Sequence, residues 1–373
     1  MQPSDKELLT YRIAFAALRG MGYDLAQKIL EIIPSEREFF CMAEKELQDL
    51  LHTKVKMTDY AYRQELLDKA QKETDFVIKN NISATYFTDN NYPKRLSHAQ
   101  DAPILLFSKG NCNLNASKVI SIVGTRHATA YGKHFCETFI SELKNLVEDV
   151  IIVSGLAYGI DIYAHRAALS NGIPTAAVLA HGLNTIYPAT HRKDAIEIIK
   201  SDGILLTDYM SSDKIHPGNF VARNRIVAGL ADCTLVVESA EKGGSLITAG
   251  IASSYNRDVF ALPGRSNDTY SKGCNKLIRN NSASLITSAS DLVSAMRWET
   301  INTQQEGRQM QIFPDVTPEE QRIIDYLQQN NETHINTLCN ALSMPMSQLM
   351  SNLIELEFKS LIISLPGAKY ALA

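Results

Sequence analysis

The sequence predicts an α/β protein built on a doubly wound parallel sheet, with a helical N-terminal module before it and a C-terminal winged-helix module after it. Three observations predict it. Between Lys118 and Ile286, short β-branched or aliphatic runs alternate with segments of helix length, the pattern of a parallel sheet covered by helices on both faces. Ahead of them, apolar residues recur at helical spacing up to Asn80. After a polar, Gln-rich stretch at Thr303–Pro314, three helical segments and a short hairpin complete the chain.

In chain order, Leu8 to Ile33 reads as two helices broken at Leu18-Arg-Gly-Met-Gly22, either a helix-hairpin-helix of the SAM-like kind, whose turn offers backbone N–H groups to a phosphate, or a plain αα-hairpin. Ser35–Leu51 and Thr58–Asn80 add further helices, and a connector punctuated by Pro93 and Pro103 follows. The strands are expected at Val119–Val123, Val150–Val153, Thr175–Ala180, Gly203–Leu206, Thr234–Glu238, Asp258–Leu262 and Ser284–Ile286. Beyond the linker come helices at Pro318–Asn330, His334–Leu342 and Pro345–Lys359, then Leu361–Ser364 and Lys369–Leu372 around Pro366-Gly367. The expected domains are 1–80 (helical), 81–300 (α/β, with 81–117 as lead-in), 301–314 (linker) and 315–373 (winged helix).

Composition narrows the function classes. With 45% hydrophobic and 21% charged residues in 373, the chain is neither fibrous nor disordered. No apolar run approaches the ~20 residues of a membrane span, and the first residues lack an apolar signal core, so a cytoplasmic protein is expected. Six cysteines without a Cys-x-x-Cys pair are expected to be reduced packing residues, with no metal site. The net charge of −4 is unevenly spread: residues 1–113 carry −1, residues 114–300 carry +1 and residues 301–373 carry −4.

In such folds chemistry gathers in the loops that follow the strands. The first, Gly124-Thr-Arg126, opens a helix and suits an anion, yet no G-x-G-x-x-G and no Walker lysine accompany it, so no nucleotide cofactor is expected. The second runs Ser154-Gly155 to Asp161, with His165 one turn on; helix capping, bracing of the loop and acid–base chemistry by the pair all stay open. His181 is a pocket-lining candidate. Arg223-Asn224-Arg225 puts two guanidinium groups around an amide, a phosphate clamp if both face the loops. Lys242-Gly243-Gly244-Ser245 at a helix start is either a phosphate nest with an added charge or a glycine turn. Arg265 and the segment Ser271 to Arg279, with Asn275, bring further polar groups to the same rim. Together these loops make a groove longer than a mononucleotide needs.

Ser121-Ile-Val-Gly-Thr-Arg126, Ser154-Gly-Leu-Ala-Tyr-Gly-Ile-Asp161, Arg223-Asn-Arg225, Gly243-Gly-Ser-Leu-Ile-Thr-Ala249 and Ser271-Lys-Gly-Cys-Asn275, in this order, resemble the DNA-processing protein A (DprA/Smf) family. The resemblance runs over nearly the whole chain. It implies a Rossmann-like domain that binds and protects single-stranded DNA, forms a homodimer and loads the recombinase RecA during natural transformation and recombination, without enzymatic activity. By position it implies Arg126 and Lys242 as the main strand-binding cations, with Gly124, Thr125, Ser154, Gly155, Arg223, Asn224, Arg225, Gly243, Gly244, Ser245 and Asn275 around the groove. Bases would stack on Tyr158, Tyr187 or Phe220. Two departures stand at the edges: His216-Pro217-Gly218 in place of a plain Phe-Pro run, and Asn280-Asn281 in place of small residues.

Two rival functions lack the residues they require. A nucleotide-processing phosphoribohydrolase of the Rossmann-like LOG group needs a glutamate soon after its glycine-rich loop, whereas here Ser245 leads into Leu-Ile-Thr-Ala-Gly. A winged-helix transcription factor needs basic residues on its reading helix, whereas Met346–Phe358 holds Glu355 and Glu357 and no cation. The wing is therefore expected to meet protein or to pack on its neighbour.

Overall fold

The computed structural model describes residues 3–301, 316–330, 332–359, 361–365 and 367–372, in two units, Met1–Ile301 and Asn302–Ala373. Except for Ile301, the linker expected at 301–314 lies outside the described residues.

Five helices open the chain: α1 (Pro3–Ala16), α2 (Tyr23–Ile32), α3 (Glu36–Cys41), α4 (Glu44–Leu51) and α5 (Tyr60–Lys79). The α1–α2 turn depends on Gly20, whose φ of +81° lies where a side chain is disfavoured. Asp59 starts α5 by accepting the Tyr62 N–H at 2.8 Å. Arg63, buried on α5, donates to the carbonyls of Phe40 at 3.1 Å and Met42 at 2.7 Å, satisfying the end of α3.

The nine-stranded sheet has the order β1-β2-β6-β5-β4-β3-β7-β8-β9. Its strands are β1 (Ser83–Tyr86), β2 (Leu105–Gly110), β3 (Lys118–Val123), β4 (Val150–Ser154), β5 (Thr175–Val178), β6 (Ile204–Thr207), β7 (Cys233–Val236), β8 (Asp258–Ala261) and β9 (Ser284–Leu285). The seven strands from β3 onward are parallel and match the seven aliphatic runs of the sequence. Strands β1 and β2 fall within the lead-in, where the sequence predicts no strand. They pair antiparallel with each other, and β2 also pairs antiparallel with β6, extending the sheet at one edge. The intervening helices are α6 (Lys94–Ser97), α7 (Ala130–Leu146), α8 (Ile160–Ser170), α9 (Arg192–Lys200), α10 (Pro217–Gly229), α11 (Gly244–Ser254), α12 (Lys272–Arg279) and α13 (Ala289–Ala295).

Alternation along the strands divides the core. Ile120, Ile122 and Ile152 pack with α7, α8 and α13, while Val119, Val123, Ile151 and Val153 join the cluster beneath α10 and α11. That second cluster continues without a break into Phe15, Phe39 and Leu47 of the N-terminal helices, so the side chains on either side of residue 80 share one core. Strand order reverses at β3, which lies between β4 and β7. Such a switch point leaves a crevice beyond the carboxyl ends of the strands.

The C-terminal unit has helices at Pro318–Asn330, Ile335–Leu342 and Met346–Phe358, and a sheet of β10 (Thr333–His334), β11 (Ile362–Leu365) and β12 (Lys369–Leu372) in the order β10-β12-β11. Its own core is built on Ile323, Leu327, Leu338, Leu349, Leu353 and Leu356. Among the described residues no helix is long and apolar enough to cross a membrane, and no cluster of His, Cys, Asp or Glu is placed to hold a metal ion.

Candidate nucleic-acid interface

The crevice at the switch point is a cleft of about 240 Å³ walled by the β3–α7 loop, the start of α8, α10 and the start of α11. Gly124, Thr125, Arg126, Arg223, Asn224, Gly243, Gly244 and Ser245 all line it, so most of the sequence-selected positions meet in one place. Backbone must come close here. A Cβ on Gly124 would lie 2.4 Å from Ile160 Cγ1, so only glycine lets the β3 loop and the α8 start touch.

Arg126 is exposed, and its guanidinium sits 5.4 Å from the centre of the Phe220 ring, which meets Tyr187 edge-on at 5.5 Å. Lys242 is exposed just outside the cleft wall. Among the described residues neither cation forms an ion pair. At the start of α11 the N–H groups of Gly244 and Ser245 make no backbone hydrogen bond among the described residues, as the first turn of a helix leaves them. Tyr158 is exposed on the far side of Arg126, beside a second hollow shared by Arg126, His127, Tyr163, Arg166 and His191.

Other selected residues are structural. Arg223 is buried: it donates to the Val178 carbonyl and lies so close to Gly155 that a Cβ there would come within 2.3 Å of its Nη1. Burial pulls its pKa down, and the Asp161 carboxylate opposes the shift. Asp161 in turn is pushed up by burial and held back by Arg223. It accepts the N–H groups of Gly155 at 3.2 Å and Ala157 at 3.4 Å, which makes it the brace of the β4–α8 loop. Its expected partner His165 instead bonds Thr175 Oγ1 at 2.7 Å, and burial lowers that imidazole to about 3. The Asp161–His165 pair considered from the sequence does not form.

Arg225 turns away from the cleft to the half-buried Asp208 and to the Asp101 carbonyl at 2.7 Å, so the two-arginine clamp does not assemble. The Ser154 hydroxyl donates to the Ile122 carbonyl at 2.6 Å beneath the cleft floor. Asn275 holds the Gly264 backbone from both sides, at 2.9 Å and 3.2 Å, away from the cleft lining. His181 is locked between the Gly182 carbonyl at 2.9 Å and the Tyr187 N–H at 3.1 Å and lines no part of the cleft.

Residues 83–297 match the family described as DNA recombination-mediator protein A, and residues 311–368 match the DprA winged helix domain. The chain belongs to the DprA/Smf family. Its DprA/Smf relatives include the DNA processing protein DprA of Streptococcus pneumoniae, 41% identical over 55% of this chain and 71% of that protein. Protein Smf of Escherichia coli is 32% identical over 74% of each. Among solved structures, S. pneumoniae DprA superimposes with a TM-score of 0.64 at 32% identity, covering 79% of this chain and 98% of that one. DNA processing protein A of Helicobacter pylori, described for its single-stranded DNA binding mode, superimposes with a TM-score of 0.52 at 31% identity over 58% and 95%.

One further residue shapes this cleft of the DprA/Smf chain. Glu238, buried at the end of β7, accepts the Thr129 N–H at 2.9 Å and its hydroxyl at 2.6 Å, fixing the start of α7 against the β3 loop that carries Arg126. The signal was present in Gly132, where a Cβ would lie 2.3 Å from Glu238 Oε2.

Proposed function

We propose that this cleft and the rim around it bind single-stranded DNA with little sequence preference. One observation carries the reading: two exposed cations, Arg126 and Lys242, stand near the start of α11 without acidic partners among the described residues, with the exposed rings of Tyr187 and Tyr158 near the same cleft. Cations and N–H groups engage a phosphate chain of any sequence, and exposed rings stack on any base. A duplex hides its bases and gains nothing from the rings. The H. pylori relative's single-stranded DNA binding supports the same choice.

Protection of incoming strands, homodimer formation and loading of RecA are the finer parts of this reading, and family membership supports them. Titration of fluorescent single- and double-stranded oligonucleotides, run beside a nucleoside monophosphate hydrolysis assay, tests the core of it. Tighter binding of the single strand with no hydrolysis is expected. Equal affinity for duplex, or hydrolysis above background, overturns it. For the finer part, RecA filament formation on protein-coated single strands should accelerate when the chain is added.

A further inference from the structure

We infer that the winged-helix unit carries a docking surface for the basic-bordered apolar face of a partner protein's amphipathic helix. Met346, Met350, Ile354 and Phe358 lie four residues apart on the third helix, and their exposures are 40%, 42%, 50% and 83%. Successive residues at this spacing adjoin on a helix surface, so the four form a continuous apolar stripe that winds slowly around the helix. The core does not need them, because Leu349, Leu353 and Leu356 of the same helix fill it. Isolated exposed apolar side chains are ordinary, but a connected row ending in a phenylalanine left in water is the mark of a contact surface.

Charge selects the occupant. The only charged residues of this helix are Glu355 and Glu357, both exposed and without an ion pair among the described residues. The cations of the unit's described residues are already engaged: Arg322 donates to the Leu342 carbonyl at 2.8 Å, Lys359 pairs with Glu320 at 2.7 Å and Lys369 with Glu332 at 3.7 Å. Among the described residues of this unit nucleic acid finds no free cation, whereas an apolar helix face bordered by Lys or Arg matches both the stripe and its acidic end.

The probe is a fluorescein-labelled synthetic amphipathic helix with a leucine face bordered by lysines, together with a twin in which glutamates replace the lysines. Fluorescence polarisation with the full chain should favour the lysine peptide by roughly tenfold or more. The double variant Ile354→Ser with Phe358→Ser should lose that binding while retaining its melting temperature and its affinity for a single-stranded oligonucleotide. Glu355→Lys with Glu357→Lys should transfer the preference to the glutamate peptide. Equal binding of both peptides, or binding indifferent to both variants, overturns the inference. So does self-association of the parent chain that the serine variant abolishes, which would make a second copy the occupant, and so does a loss of strand binding in that variant, which would give the stripe to DNA.

Discussion

Arg126 and Lys242 are exposed and form no ion pair among the described residues, whereas on α10 Arg223 is buried beside Asp161 and Arg225 pairs with Asp208. Replacing either Arg126 or Lys242 by alanine should weaken strand binding and reduce the slope of log affinity against log salt by about 0.7, one phosphate contact on a single strand. Arg225→Ala should leave that slope unchanged and instead destabilise the fold by about 1–3 kcal/mol, because the half-buried Asp208 would lose its partner. The sequence showed three polar residues in a row at 223–225. It could not show that the helix turns each by about 100°, which sends one under the cleft, one to its wall and one away. His165 offers a pH test. Its folded pKa of about 3 lies below the ordinary 6.5, so the unfolded chain binds the extra proton first. The stability it contributes is complete above pH 6.5 and is lost as pH falls from there toward 3. Melting curves at pH 7 and pH 4.5 should diverge more for the parent chain than for His165→Leu.

The loops work because the elements behind them are fixed by buried polar contacts. Asp161 holds the β4–α8 loop through two N–H groups and also balances Arg223. Asp161→Ala should therefore release the loop and leave an uncompensated buried guanidinium, lowering stability by about 3–5 kcal/mol. Strand affinity should fall with it at an unchanged salt slope, since Asp161 touches no phosphate; a steeper or shallower slope would contradict this role. The parallel strands were legible because burial on both faces makes them uninterrupted aliphatic runs, such as Val150 to Val153. Strands β1 and β2 were not. Ser83–Tyr86 is short and half polar, as an edge strand permits, and the prolines around Leu105–Gly110 read as punctuation. Glu238 escaped for a different reason: a carboxylate at a strand end reads as solvent-facing until the helix it anchors is seen above it.

At the scale of the molecule, the shared core around Phe15, Phe39, Tyr86 and Leu106 ties the N-terminal helices to the sheet. A chain lacking residues 1–80 should expose this surface and bind a hydrophobic dye, whereas one ending at Ile301 should fold and retain strand affinity, because the acidic C-terminal unit offers phosphate no attraction. The domain order was readable from periodicity alone, but the merging of the first two cores depends on side chains far apart in the chain. The placement of β3 between β4 and β7 also has a meaning in time. The Ser121 hydroxyl reaches the Thr234 hydroxyl across 113 residues of sequence. At a synthesis rate of roughly 5–20 residues per second, β3 waits on the order of 6–23 s after leaving the ribosome before β7 can cover its second edge. Throughout that interval a row of isoleucine and valine backbone is open to any other nascent strand. The middle strand of the seven parallel ones is thus the most vulnerable edge of the growing sheet, and pausing translation between β4 and β7 should raise the fraction of this chain lost to aggregation.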